Sequence, residues 1–302
     1  MIIICVNPCN LWKIPPGNSI GLQSCSTVYP CENSGRATHY SNESELLKAR
    51  IIPTLLWKDS GLVKGVAFDS WRRVGTLLPA IKVYNTREVD ELILLDITAT
   101  EERRAPDFAT VEDISAECFV PLTVGGGIRS LDDIRQLLLA GADKICLNSA
   151  AYEHPNLVRD AAHLFGSQCI VASIDARKNS ADGHECFSHC GRRPTGRTPA
   201  TWAAELEHLG AGEILITSIE CDGTLSGFDL DLIRQVTSRV SIPVIASGGC
   251  GTYEHMLLAL REAGASAVAA ASLFHFTEQT PKEAKAYLHR HGLPVRGSGA
   301  MP

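Results

Sequence analysis

The chain has 302 residues, 45% of them hydrophobic, with 25 glycines, 11 cysteines and a formal net charge of −6. This length and apolar content suffice for one large packed domain, and the acidic balance argues against nucleic acid, whose phosphates are neutralised by clustered Lys and Arg. No apolar run approaches the ~20 residues that span a bilayer, and the opening MIIICV is too short for a signal-peptide core and has no basic residues before it. A cytoplasmic protein with no membrane partner is expected.

Residues 1–45 hold four of the cysteines, a Pro-Pro-Gly-Asn break and Ser/Asn-rich stretches without periodicity, and read as a poorly ordered extension. From Arg50 the pattern becomes regular, with short apolar runs alternating with amphipathic helical stretches. The runs predict eight strands: RIIPTLL (50–56), ELILLD (91–96), PLTV (121–124), KICLN (144–148), CIVASID (169–175), EILITS (213–218), PVIAS (243–247) and AVAAA (267–271). Between them SLDDIRQLLLAG predicts a helix capped by Ser130, with Asp132 and Asp133 at the positive end of its dipole and Leu131, Ile134, Leu137 and Leu138 on one face. Gly141 ends it.

The stretch HECFSHC brings His184, Cys186, His189 and Cys190 close in sequence, but its spacings fit no standard structural zinc site, so ordinary loop chemistry is expected and no metal. The odd cysteine count without disulfide-type spacing predicts reduced thiols.

Eight strand–helix units in about 250 residues are the size of a (β/α)₈ barrel. A doubly wound open sheet would offer one nucleotide-binding switch point and no reason for repetition. This chain repeats: VPLTVGGG from Val120 aligns with IPVIASGG from Ile242 at an offset of 122, ELILLD aligns with EILITS at the same offset, and two Ala-Gly-Ala triplets follow at 123. The repeat unit is therefore half a barrel. The expected organisation is an extension over 1–45, a barrel over 46–296 and a tail over 297–302.

In such a barrel the active site lies where the strands end. The residues there are Leu56 and Trp57, Asp96, Gly125 to Gly127, Asn148 and Ser149, Asp175, Asp222 with Gly223 and Thr224, Gly248 and Gly249, and Ser272. Glycine-rich loops at helix starts present unpaired backbone N–H groups to anions. Two related Gly-Gly loops, each followed one strand later by a serine, suit a substrate with a phosphate at each end, although tight turns alone also use such glycines. Equivalent strands end in Leu56 and Asp175, so the chain offers one carboxylate where an opposed acid/base pair would need two. At the opposite mouth Arg50, Glu91, Lys144 and Glu213 stand at the strand starts, either as solvated charges or as a ring that gates the barrel.

The segments DELILLDITAT, PLTVGGGIRSLDDIRQLLLAGADKICLNSAA, GAGEILITSIECDGTLSGFD and IPVIASGGCGTYEHMLLAL resemble the cyclase subunit of imidazole glycerol phosphate synthase, a (β/α)₈ barrel of histidine biosynthesis, and the likeness runs from about Arg50 to Arg296. The resemblance implies a heterodimer with a glutaminase docked at the barrel floor, ammonia passing a charged gate and the barrel axis, and closure of a bis-phosphorylated substrate at the mouth without a cofactor. It assigns the gate to Arg50, Glu91, Lys144 and Glu213, with Asp143 beside the glutaminase contact. It assigns phosphate binding to the regions of Gly126, Gly127 and Ser149 and of Gly248, Gly249 and Ser272, catalysis to Asp175, the substrate loop to Asp222, and a mobile first loop to Lys64.

One position departs from the family. Where its pattern after Ile-Ile-Pro is Cys-Leu-Asp-Val-Lys-Asp-Gly, this chain reads Thr54-Leu55-Leu56-Trp57-Lys58-Asp59-Ser60-Gly61, so Leu56 holds the second acid/base place and Asp59 would serve only in a shifted register. Leu-Leu here and the phrase REVDELILLD resemble a diverged branch. That branch works with a glutaminase and an ATP-using partner to make acetamidino sugars for bacterial surface glycans, its barrel acting mainly as an ammonia conduit. The sequence leaves open this ammonia-delivering role, an active histidine-pathway cyclase, a scaffold that only activates the glutaminase and, more remotely, a sugar-phosphate isomerase of the sister barrel family.

Chains of the family begin just before Arg-Ile-Ile-Pro, so translation is expected to start near Leu46 or Leu47 from a non-AUG codon. The intact mass of protein expressed from its native gene should then fall clearly below the 32.6 kDa of the full chain; a full-length mass would overturn this start.

Overall fold

A computed structural model describes residues 48–59, 61–179 and 183–297. The extension expected over 1–45 lies outside the described residues.

Among the described residues twelve strands form: β1 (Arg50–Lys58), β2 (Gly61–Val66), β3 (Asp69–Gly75), β4 (Leu92–Asp96), β5 (Leu122–Gly125), β6 (Lys144–Leu147), β7 (Ile170–Lys178), β8 (His184–Ser188), β9 (Arg193–Pro194), β10 (Glu213–Ser218), β11 (Val244–Ser247) and β12 (Ala267–Ala270). Eight of them pair in parallel around a closed circuit, β1–β4–β5–β6–β7–β10–β11–β12, with β12 returning to β1 through Ile51 opposite Val268. Helices fill the crossovers, so the fold is the expected (β/α)₈ barrel. No helix among the described residues is long and apolar enough to cross a membrane.

The half-barrel repeat is written into the register. Leu56 on β1 stands opposite Leu95 on β4, and Asp175 on β7 stands opposite Thr217 on β10, which are the same pairings displaced by half a barrel. Likewise Val124 faces Ile145 as Ala246 faces Val268.

Two hairpins modify the expected pattern. β1 runs past Leu56 to Lys58 because β2 pairs antiparallel with its end, and β7 runs past Asp175 to Lys178 because β8 does the same. The hairpins are a further sign of duplication, since they follow equivalent strands.

Alternation along the strands separates two apolar layers. Inside the barrel Ile52, Ile93, Cys146, Val171, Leu215, Ile245, Ala267 and Ala269 close the axis, while Ile51, Leu55, Leu92, Leu94, Ile145 and Ile214 face the helices. The helix Leu131–Leu139 begins as the sequence predicts: Ser130 Oγ accepts from Asp133 N–H at 3.1 Å and the Asp133 carboxylate accepts from Ser130 N–H at 2.9 Å, a capping box. Gly141 follows at φ +102°, conformational space open to glycine.

The closing seam carries a buried ion pair. Lys285, on the helix Pro281–Arg290, donates to Asp90 Oδ1 at 2.8 Å, while Asp90 Oδ2 accepts from Ile51 N–H at 2.8 Å; the two side chains are 7% and 1% exposed. Asp90 therefore joins the last helix to the floor of the first strand. Breaking one side of such a pair strands the other charge, so Asp90→Ala is expected to lower unfolding free energy in urea by about 3–5 kcal/mol. Asp90→Asn with Lys285→Met, which keeps an acceptor for Ile51 and removes both charges, should lose clearly less; equal losses would contradict this account.

Candidate functional site

Because all eight barrel strands run the same way, their ends converge on one mouth. The cavity there holds about 1190 Å³ out to its opening and is lined by residues from both halves of the barrel. Leu56, Lys64, Gly126, Gly127, Asn148, Ser149, Asp175, Asp222, Gly223, Gly248, Gly249 and Ser272 all line it. Thr224 does not: its exposed hydroxyl donates to Cys221 O at 2.7 Å and meets Ser226 Oγ at 2.6 Å, fastening a turn outside the cavity.

The two glycine loops carry the same geometry. Gly126, Gly127, Gly248 and Gly249 have φ of +108°, +74°, +88° and +102°. A Cβ at each would press on a backbone carbonyl: Asp96, Arg104, Ser218 and Gly227 in turn. These glycines are thus required by backbone packing, and their conformation leaves the N–H groups of Gly126 and Gly248 with no partner among the described residues. Unengaged amides of this kind are the backbone groups that suit an anion. Their serines differ. Ser272 Oγ is buried without a partner, whereas Ser149 Oγ accepts from His189 N–H at 2.9 Å.

Three carboxylates reach the mouth, and two are neutralised. Asp96 is gripped by Arg104 at 3.0 and 3.3 Å and accepts from Ala99 N–H, so it organises the loop after β4. Asp222 is paired with Lys64 at 2.5 Å. The resemblance placed Lys64 on a mobile loop; the structure places it on β2, with its side chain 2% exposed. Asp175 has no cation and accepts from Asn148 Nδ2 at 3.0 Å. Burial, reinforced by the charge of Asp222, pushes its carboxyl up to about 7, which lets it exchange a proton near neutrality.

Opposite it by the twofold, Leu56 presents a buried aliphatic side chain to the cavity. Asp59 sits in the hairpin turn at φ +45° and is not among the lining residues, so a shifted register does not bring it in.

At the floor the four charges close into a ring. Arg50 Nη1 lies 2.8 Å from Glu91 and 2.7 Å from Glu213, and Lys144 Nζ lies 3.0 Å from Glu91 and 2.9 Å from Glu213. Burial alone would raise the Glu91 carboxyl, but Arg50 and Lys144 outweigh it and hold it below the usual range. The apolar axis layer begins directly above. Asp143, exposed on the same face, accepts from Leu122 N–H at 2.8 Å, so this carboxylate also pins the start of β5.

The His/Cys stretch disperses. His184 bonds Asp229 at 3.0 Å, Cys186 is buried in the core, His189 contacts Glu153 at 3.2 Å, and Cys190 donates to Ile97 O. Among the described residues no group of three or more His, Cys, Asp or Glu is placed to hold a metal, and the seven cysteines there are free thiols.

Fold and mouth together define an α/β barrel of the duplicated, twofold kind, with a glycine loop from each half and a neutral-range carboxyl lining one cavity. The sequence model of the histidine biosynthesis protein family matches residues 50–280, and the chain belongs to that family. Sequence reasoning missed several lining residues, among them Thr54, Ser173 and Thr217 inside the barrel and Phe68 and Trp71 from the first hairpin. Strand alternation from Leu56, Asp175 and Leu215 would have found the first three; the aromatic pair carried no such signal.

Asp175 supplies a pH test. Its raised value means that the native protein keeps a proton that the unfolded chain releases between about pH 4 and pH 7, so its contribution is favourable at low pH and is lost as pH rises through that window. Relative to Asp175→Asn, the wild type should lose unfolding free energy in urea between about pH 4 and pH 7. Parallel pH curves for the two proteins would contradict the shift.

Proposed function

We propose that the chain is the barrel subunit of a glutamine-dependent complex of the imidazole glycerol phosphate synthase type, receiving ammonia from a glutaminase and delivering it to a phosphorylated substrate at the mouth. The pathway that fits best is acetamidino-group formation on a surface-glycan sugar, together with an ATP-using amidating enzyme. The observation that carries the reading is Leu56: the floor ring and both glycine cradles are intact, yet the second acid/base place opposite Asp175 holds a side chain that cannot move a proton. Losing one of two cooperating proton-transfer groups costs about 10²–10⁴ in rate. Delivery of ammonia requires no such pair, and the apolar barrel interior above the charge ring would admit a small neutral molecule in preference to an ion.

A second reading keeps ring closure in histidine biosynthesis. It draws on Asp175, whose carboxyl near 7 is tuned for acid/base work and would then act alone.

Partnership with a glutaminase is tested at the floor. Mixed with the glutaminase encoded in the same genome, the full chain is expected to form a one-to-one complex and raise glutamine hydrolysis. Asp143→Asn keeps an acceptor for Leu122 N–H while removing the charge, and should weaken the complex by about tenfold without loss of thermal stability. Absence of a complex with the wild type would overturn the proposal.

A further inference from the structure

The twofold that relates the cradles breaks down just outside them. By the half-barrel offset, Arg103, Arg104 and Arg129 correspond to Leu225, Ser226 and Gly251, and Glu153 corresponds to Phe276. One side has therefore gathered cations where the other has small or apolar residues.

The second cradle is shut on its outer side. Ala67 N–H donates to Asp222 O at 2.8 Å, Gly223 packs against the Gly65 carbonyl, Lys64 locks Asp222, and the Arg72 guanidinium lies 3.8 Å over the Phe276 ring. None of Gly248, Gly249 and Ser272 lines the arginine-rich cavity beside the first cradle.

The first cradle opens instead into a second cavity of about 1180 Å³ out to its opening. The two cavities share Thr100, Gly127, Ile128, Ser149 and Ala150, so a ligand anchored on the Gly126–Gly127 loop can continue from one into the other. Five arginines line this annex, from the loop after β4, the loop after β5 and the hairpin after β7. Two are already committed, Arg104 to Asp96 and Glu102 and Arg192 to Glu101. Arg103, Arg129 and Arg193 have no ion-pair partner among the described residues, and His189 and Glu153 pair with each other. Three uncommitted guanidiniums around a cavity that begins at a cradle of backbone N–H groups form a site for more negative charge than one phosphate brings. Guanidinium pairs bidentately with phosphoryl oxygens.

We infer that the first cradle and its arginine annex bind a ligand end carrying two linked phosphoryl groups, a diphosphate ester, while the second cradle takes a single phosphate. The cradle holds one phosphoryl group of the pair and the annex arginines hold the next. This rests on reading the glycine loops as phosphate cradles, so the test scores that reading separately.

Isothermal titration of the full chain with inorganic phosphate and with inorganic pyrophosphate, at matched ionic strength, decides it. Pyrophosphate is expected to bind at least about tenfold more tightly than phosphate. Arg129→Ser with Arg193→Ser, both at exposed positions, should bring pyrophosphate down to the affinity of phosphate. Equal affinities for the two anions, or a preference that survives the double substitution, would overturn the diphosphate site while the cradles stand. Absence of binding by either anion would overturn the cradles as well.

Discussion

The structure depends on one constraint, the closed circuit of parallel strand pairs. With β12 hydrogen-bonded to β1, no strand can slide by a residue without exchanging its inner and outer faces all round the barrel. That register brings the ends of segments as distant as Leu56 and Ser272 to one mouth, and the starts of Arg50, Glu91, Lys144 and Glu213 to one floor. The Asp90–Lys285 pair and the parallel bridge from Ala49 to Val295 hold the seam where the first strand and the last helix of the barrel meet.

Duplication explains the site more fully than any isolated motif. Each half supplies a strand extended by a hairpin, then a strand ending in a polar loop, then a glycine loop, then a strand that leads to a serine. What differs between halves is chemistry laid on equal backbones. Asp175 stands where the other half has Leu56, Arg103 and Arg129 stand where the other half has Leu225 and Gly251, and Ser149 is engaged by His189 while Ser272 is unengaged. On a near-symmetric scaffold the site is thus asymmetric: the second half supplies the one carboxyl in the neutral range, and the first supplies the added arginines.

Much of this is legible in the sequence. The eight barrel strands follow from apolar runs, their order from the half-barrel offset, and the capping of the helix Leu131–Leu139 from Ser130 and Asp133. The hairpins were not legible, because β3 is half exposed along its length and β9 is two residues long, so neither carries a hydrophobic signature. Strand ends therefore read short at Leu56 and Asp175. Thr224 looked like part of the mouth because it follows Asp222 and Gly223, but its hydroxyl turns back to Cys221. The neutral-range carboxyl of Asp175 and the paired state of Asp222 and Lys64 depend on burial and on contacts 158 residues apart, which no local pattern encodes.

The proposal is that both glycine loops hold phosphate and that Asp175 remains a proton-transfer group at a mouth whose second such place is aliphatic. It is tested most directly by supplying excess ammonium to the full chain, so that no glutaminase is needed, and measuring turnover of the bis-phosphorylated intermediate of the histidine pathway by wild type and by Leu56→Asp. The account predicts no turnover by the wild type and measurable turnover by Leu56→Asp. Robust wild-type turnover would contradict it and return the protein to ring closure.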